Sequence, residues 1–329
     1  MDKRGNSMKI VILDGSAANP GDITWDALAA LGEVKVYDTT DQKDVAARTA
    51  GFDCAITNKR VFDREVIEKL PSLKYIGVLA TGYNVVDLEC CKEHGIAVTN
   101  VPQYSTYATA QMTVAHILEF ADKVGMHSRA VHDGEWVRSE QFCFFKEPLV
   151  ELYGKNLHII GLGEIGKRVA AICGSLGMNI SATVHHDPGT PTVDCHGTPV
   201  RIMPLEEGLR NADVVTLHCP LTDETREIIN RSTLSLLKKT TLLINCARGP
   251  LVNENDVAAA LKNGTLAGYA ADVVTVEPMS ADSPLLGCPN CNLTPHIAWA
   301  PTETRIRLID MAAANLKSFM EGGRMNRIV

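Results

Sequence analysis

Apolar positions along this chain fall into two alternating registers. Short, mainly apolar runs at Lys9–Leu13, Val34–Tyr37, Cys54–Thr57 and Tyr75–Val78 have the length of strands, and the first ends at Asp14-Gly15, a turn signal. Between them, Thr24–Ala30, Asp44–Ala50 and Asp63–Leu70 carry apolar residues at helical spacing. Strands that alternate with helices predict a parallel sheet covered on both faces. After Pro102 the spacing predicts one long helix over 106–132. The pattern then restarts with a strand at Leu157–Ile160, the segment Gly161-Leu-Gly-Glu-Ile-Gly166 and a helix over Lys167–Leu176. Further strands are predicted at Ile180–Val184, Val214–His218, Thr241–Asn245 and Gly268–Asp272, and an amphipathic helix at Glu303–Met320 closes the chain.

The fold class that follows is α/β: two Rossmann-like, doubly wound parallel-sheet domains, with an active site expected in the cleft between them. The second α/β unit is complete without the last helix, so the chain is expected to cross back and close its first domain with it. The expected division is 1–102 with 298–329 as a discontinuous substrate-binding domain, and 103–297 as a dinucleotide-binding domain.

Gly161-Leu-Gly-Glu-Ile-Gly166 gains its meaning from the strand before it and the helix after it. Gly161 allows a tight turn, Gly163 lets backbone approach a pyrophosphate, and Gly166 permits close helix–sheet packing. The helix N-terminus then offers free amides to the anion. An acidic residue about 20 positions on normally holds the adenosine ribose. That position falls at Val184, followed by His185, His186 and Asp187, with no arginine to grip a 2′-phosphate. The choice between NAD and NADP stays open at this point.

Three polar residues stand out after strand-like segments in the second unit: Arg248 after Leu243–Ala247, Glu277 after Asp272–Val276, and His296 within Thr294–Trp299. Reduction of a keto acid requires, besides a hydride, a cation for the carboxylate and ketone, an acid for the new oxyanion, and a group that keeps that acid charged. Arginine, histidine and glutamate supply these in turn.

In these motifs and their order, the sequence resembles the D-isomer-specific 2-hydroxyacid dehydrogenase family. The matching segments are Gly161–Gly166, Leu217-His-Cys-Pro-Leu-Thr222, Asn245-Cys-Ala-Arg-Gly249, Ala271-Asp-Val273 with Glu277-Pro278, and Pro295-His-Ile297. The resemblance implies Arg248 as substrate clamp, His296 as acid/base and Glu277 as its partner, with Thr81-Gly82 holding the substrate carboxylate through backbone amides. It implies cofactor contacts from Gly161, Gly163, Glu164, Ile165, Gly166, His218, Cys219, Pro220, Cys246, Ala247, Asp272 and Ala298, with Asp272 near the nicotinamide carboxamide. The implied cofactor is NAD, with NADP as the other possibility. Members are commonly homodimers through the long helix after the first crossover. Leu79-Ala-Thr-Gly-Tyr-Asn84 and Val98-Thr-Asn-Val-Pro102 resemble the glycerate dehydrogenase (hydroxypyruvate reductase) branch, which implies hydroxypyruvate and D-glycerate as substrate pair. Sister dehydrogenases for glyoxylate, pyruvate or a larger keto acid share the same motifs. Dinucleotide-sensing corepressors share the fold, but this chain has no long disordered tail. Glu277 argues against a formate dehydrogenase, where glutamine is typical.

Composition narrows the setting. A formal net charge of −7 is a poor match for nucleic acid or an anionic membrane, and no apolar run has the length of a span. Residues 1–7 are polar and lack the apolar stretch of a secretion signal, and Met8 opens the first apolar run, so an extension over 1–7 ahead of a natural start at Met8 is expected. Ten cysteines spread through a chain of this size suggest reduced, mostly buried thiols and a cytoplasmic location. Cys288-Pro-Asn-Cys291 has the spacing of half a zinc site, but no second pair completes it, so no metal is expected.

Overall fold

The computed structural model describes residues 7–186 and 188–329. Expectations about residues 1–6 and Asp187 lie outside these. The chain divides into two compact units, one running to Ser105 and resuming at Trp299–Val329, the other Thr106–Ala298. The divisions fall at 105/106 and 298/299, so Ala298, expected in the first domain, lies in the second unit.

The first unit is a five-stranded, all-parallel sheet in the order β2-β1-β3-β4-β5. Its strands are β1 (Met8–Ile12), β2 (Gly32–Val36), β3 (Cys54–Thr57), β4 (Tyr75–Val78) and β5 (Ala97–Thr99). Strands β3 and β4 are buried throughout, because helices cover both faces. The terminal helix Thr302–Met320 packs Leu308, Ile309, Ala312 and Leu316 on this sheet's core. Arg305 of that helix, 7% exposed, donates to both carboxylate oxygens of Asp22 (2.7 and 2.6 Å) and to the Ala18 carbonyl. The pair fastens the returning segment by a forked, charge-assisted contact.

The second unit is an eight-stranded sheet in the order β13-β12-β11-β10-β6-β7-β9-β8. Its strands are β6 (Asn156–Ile160), β7 (Asn179–Thr183), β8 (Thr192–Cys195), β9 (Thr198–Ile202), β10 (Val214–Leu217), β11 (Leu242–Asn245), β12 (Gly268–Ala271) and β13 (Cys291–Leu293). All pairs are parallel except β8–β9, a hairpin turned at His196-Gly197 with both residues left-handed. The polar, short strands of that hairpin escape a search for apolar runs. Strand order reverses between β6 and β10, and the crevice beyond such a switch is where α/β sheets place ligands.

The long helix expected over 106–132 is two helices, Thr106–Asp122 and Val124–His132. Lys123 between them is left-handed (φ 50°, ψ 41°). The break is compensated locally: the Glu119 carboxylate accepts the Gly125 amide, and Lys123 Nζ pairs with Glu147 at 2.8 Å. The apolar spacing of the sequence runs on through Ile117, Phe120, Ala121 and Val124, yet Val124 is 63% exposed, so periodicity alone could not reveal the break.

Candidate active site

Gly161 leaves β6 with φ +95°, and a Cβ there would stand 2.5 Å from the Cys219 amide nitrogen. The chain after β10 thus lies directly on the turn after β6, held also by the His218 amide donating to the Ile160 carbonyl (2.8 Å). Gly166 is excluded from any larger residue because a Cβ would meet the Gly161 carbonyl oxygen at 2.4 Å. Gly163 differs: nothing lies within 4 Å of its would-be Cβ. It faces open space at the N-cap of the helix Glu164–Ser175, beside that helix's free amides. Glu164 is exposed and pairs with Lys167 (3.0 Å), which holds its carboxyl below the usual range, while Ile165 packs on the core.

Across the switch, both ring nitrogens of His218 are inaccessible and without a partner among the described residues, and burial pushes the ring down to about 4. A desolvated imidazole with no partner is costly in a finished protein and suits a site that a polar ligand completes. Pro220 is exposed, and its carbonyl accepts the Thr225 hydroxyl (2.7 Å), which shapes the loop. Burial pushes the Cys246 thiol up to about 12, so this residue stays an uncharged, apolar group. An open glycine corner, free helix amides and an orphaned imidazole at the switch fit a dinucleotide.

The strand-end position fits as expected, with a difference. Strand β7 ends at Thr183, and Val184 follows, half-buried. An acid nevertheless approaches from elsewhere: Glu224 stands 3.7 Å from His185 Nδ1, both side chains exposed. The sequence gives no spacing signal for this, because Glu224 arrives from the loop after β10.

Arg248, Glu277 and His296 follow β11, β12 and β13 in the same unit. Arg248 is exposed; its Nη1 donates to the Ala247 carbonyl (2.7 Å), and no described carboxylate pairs with it. Its backbone is fixed by Asn245, whose side chain donates to the Arg248 carbonyl and accepts the Ala247 amide. Gly249 explains how two loops register: a Cβ there would lie 2.0 Å from the Val274 carbonyl carbon, so only glycine lets the Arg248 turn touch the loop leading to Glu277. Glu277 Oε2 meets His296 Nδ1 at 2.7 Å, and its Oε1 accepts the Val274 amide. With Nδ1 committed to the carboxylate, Nε2 is the nitrogen left for a reacting group.

Asp272 is 1% exposed and takes part in the His296 loop itself. Its Oδ1 accepts the Thr294 hydroxyl (2.6 Å) and the Ile297 amide (2.8 Å), and its Oδ2 accepts the Ala298 amide (2.7 Å). One lone pair on Oδ2 remains for a further donor.

In the first unit, the buried Asp14 accepts the amides of Asn58 (2.8 Å) and Lys59 (2.6 Å), and Asn58 donates to the Leu79 carbonyl. These contacts fix the segment ahead of Thr81-Gly82. Asn100 donates to the Thr81 carbonyl, and Thr81 is exposed with Gly82 partly so.

A parallel sheet with a glycine corner at its switch and an arginine, a glutamate and a histidine at successive strand ends defines a nucleotide-dependent oxidoreductase. The chain belongs to the D-isomer-specific 2-hydroxyacid dehydrogenase family: residues 114–298 match the model "D-isomer specific 2-hydroxyacid dehydrogenase, NAD binding domain". It is 45% identical to a hydroxypyruvate reductase of Blautia hydrogenotrophica, over 97% of this chain and 99% of that one. A glycerate dehydrogenase of Methylorubrum extorquens is 35% identical, over 89% and 91% of the two chains. Among solved structures, the TT0316 protein of Thermus thermophilus superposes with a TM-score of 0.84 at 32% identity, covering 98% of this chain and all of that one. The chain is therefore an NAD(P)-dependent oxidoreductase acting on small 2-hydroxy or 2-keto acids. Among the described residues no helix is long and apolar enough to cross a membrane.

Proposed function

We propose that this enzyme reduces hydroxypyruvate to D-glycerate with NADH. The observation that carries the chemistry is the 2.7 Å pair between His296 Nδ1 and Glu277 Oε2, and the 45% identity to a hydroxypyruvate reductase supports the substrate. NADH, when bound, supplies the hydride. The residues fitted to hold it are Gly161, Gly163, Glu164, Ile165, Gly166, His218, Cys219, Pro220, Cys246, Ala247, Asp272 and Ala298. Arg248, free of any described carboxylate, grips the substrate carboxylate and polarises the ketone through its planar fork. His296 Nε2 holds the proton that passes to the ketone oxygen as the alcohol forms, and the Glu277 carboxylate stabilises the charged imidazole before transfer. Backbone amides at Thr81-Gly82 bind the carboxylate from the first unit. The first unit thus serves as substrate domain and the second as dinucleotide domain.

The same reading includes a homodimer in the cytoplasm. Val137, Phe142, Phe145 and Tyr153 are 88%, 89%, 71% and 77% exposed within one short stretch after the helix Val124–His132. That much apolar surface in one region is typical of an interface. All ten cysteines are free, which suits a reducing compartment.

A panel of hydroxypyruvate, glyoxylate and pyruvate with NADH and NADPH tests the assignment. The highest kcat/KM is expected for hydroxypyruvate with NADH. A preference of tenfold or more for another acid would move the enzyme to a sister activity, and no turnover at all would remove the dehydrogenase role.

A further inference from the structure

His296 stands in a left-handed backbone conformation, φ 54°, unusual for a residue with a side chain and tolerated only where the surroundings impose it. The imposing contacts sit on both sides of it. Thr294 before it, and Ile297 and Ala298 after it, all donate to the buried Asp272 carboxylate. One acid therefore brackets the loop and leaves His296 at its crest.

The bracket has a further support. His116, on the helix Thr106–Asp122, is 6% exposed and places Nε2 3.3 Å from Thr294 Oγ1. A hydroxyl has one proton, and that of Thr294 is committed to Asp272 at 2.6 Å. The Thr294 oxygen therefore accepts from His116, whose Nε2 carries the hydrogen. Burial lowers the proton affinity of this imidazole, with the Asp272 charge pulling the other way, so it stays neutral near pH 7 and holds the single tautomer the contact needs.

We propose that His116 is a positioning residue for the reduction: by donating to Thr294 it fixes the hydroxyl that Asp272 uses to hold His296 in place. The chain of contacts is His116–Thr294–Asp272 and then the amides flanking His296. Neither His116 nor Thr294 is among the residues assigned to substrate or cofactor, so the effect of changing them falls on turnover more than on ground-state binding.

This inference rests on His296 being the proton donor, so His296→Gln accompanies the test as a control. His116→Leu removes the donor at similar volume, and His116→Gln returns an amide N–H near the former Nε2. The measurements are kcat, KM for hydroxypyruvate and the dissociation constant of NADH by fluorescence, on variants that retain a cooperative thermal transition. His116→Leu should lower kcat about fivefold or more, the scale of one lost hydrogen bond. KM and NADH binding should change less than twofold, and His116→Gln should recover most of the loss. Thr294→Val should mimic His116→Leu or exceed it, and Thr294→Ser should restore turnover; this second pair serves if His116→Leu does not fold. Equal kcat in His116→Leu and wild type, or equal damage from Leu and Gln, would overturn the inference while leaving His296 in its role. Normal turnover in His296→Gln would instead overturn the proposed function beneath it.

Discussion

Two loops of the dinucleotide-binding unit do comparable work by opposite means. The loop Gly161–Gly166 is made by leaving side chains out: a Cβ at either end would strike backbone, and the corner at Gly163 is open. The loop Thr294–Ala298 is made by a side chain brought in from elsewhere, the buried carboxylate of Asp272, which binds three donors around a left-handed His296. A ligand that must be approached closely by amides calls for the first solution. A single imidazole that must be aimed calls for the second, because its backbone conformation is unfavourable alone and needs several bonds to hold it.

The largest expected effect separates the loops by function. His296→Ala should reduce hydroxypyruvate turnover by roughly 10²–10⁴-fold, the usual contribution of a general acid, with NADH binding within twofold of wild type. NADH binding lost together with turnover would show that the two loops are not separable.

Acid should attack the platform of the glycine loop. His158 on β6 is buried, bonded to Ser181 and Thr183, and burial pushes it down to about 4. Its folded value lies below the ordinary 6.5, so the unfolded chain binds the proton more readily between those values. The stability that depends on a neutral ring is complete above about pH 6.5, is lost as pH falls toward 4, and levels off below. The loss amounts to roughly 3 kcal/mol, and His218, pushed the same way, adds to it. Urea unfolding from pH 7.5 to 4 measures it; a flat profile would mean that His158 is not buried as a neutral group.

Within the glycine loop the two roles should part. Gly166→Ala forces a Cβ against the Gly161 carbonyl and should cost about 1–3 kcal/mol of stability. Gly163→Ala, at φ −75° and with open space around it, should leave the melting temperature unchanged or slightly higher. It should nevertheless weaken NADH binding by about tenfold, the effect of one disturbed contact to a charged group. Equal melting temperatures for the two variants would dissolve the distinction.

The smallest effect concerns Val184. An acid there would accept from the ribose hydroxyls and repel a 2′-phosphate, so Val184→Asp should raise the NADH to NADPH ratio of kcat/KM by a few fold, about 1 kcal/mol. Because Glu224 already lies beside His185, an unchanged ratio would assign that discrimination to the loop after β10.

Much of this protein was legible in its sequence because the relevant constraints are local. Strands β3, β4 and β10 coincide with apolar runs because both faces of a parallel sheet are covered. The glycines at 161 and 166 reveal a turn and a packing contact because each requirement excludes a side chain at one position. Arg248 and Glu277 could be picked out because each follows a predicted strand, whereas His296 follows β13, whose three residues Cys291–Leu293 form no apolar run.

The rest depended on residues distant in the chain. The break at Lys123 exposes Val124 and is held by Glu147, which belongs to a later loop. Glu224 reaches His185 from another loop, and His116 reaches Thr294 across 178 positions. A carboxylate has no periodicity, and a buried histidine on a helix looks like any other core position until its partner is known. The sequence alone therefore determined where backbone must bend, pack or approach, since those demands act on single residues. Which side chains hold His296 in its unfavourable conformation was decided only by tertiary structure, because a hydrogen bond is defined by two groups and folding alone sets their distance.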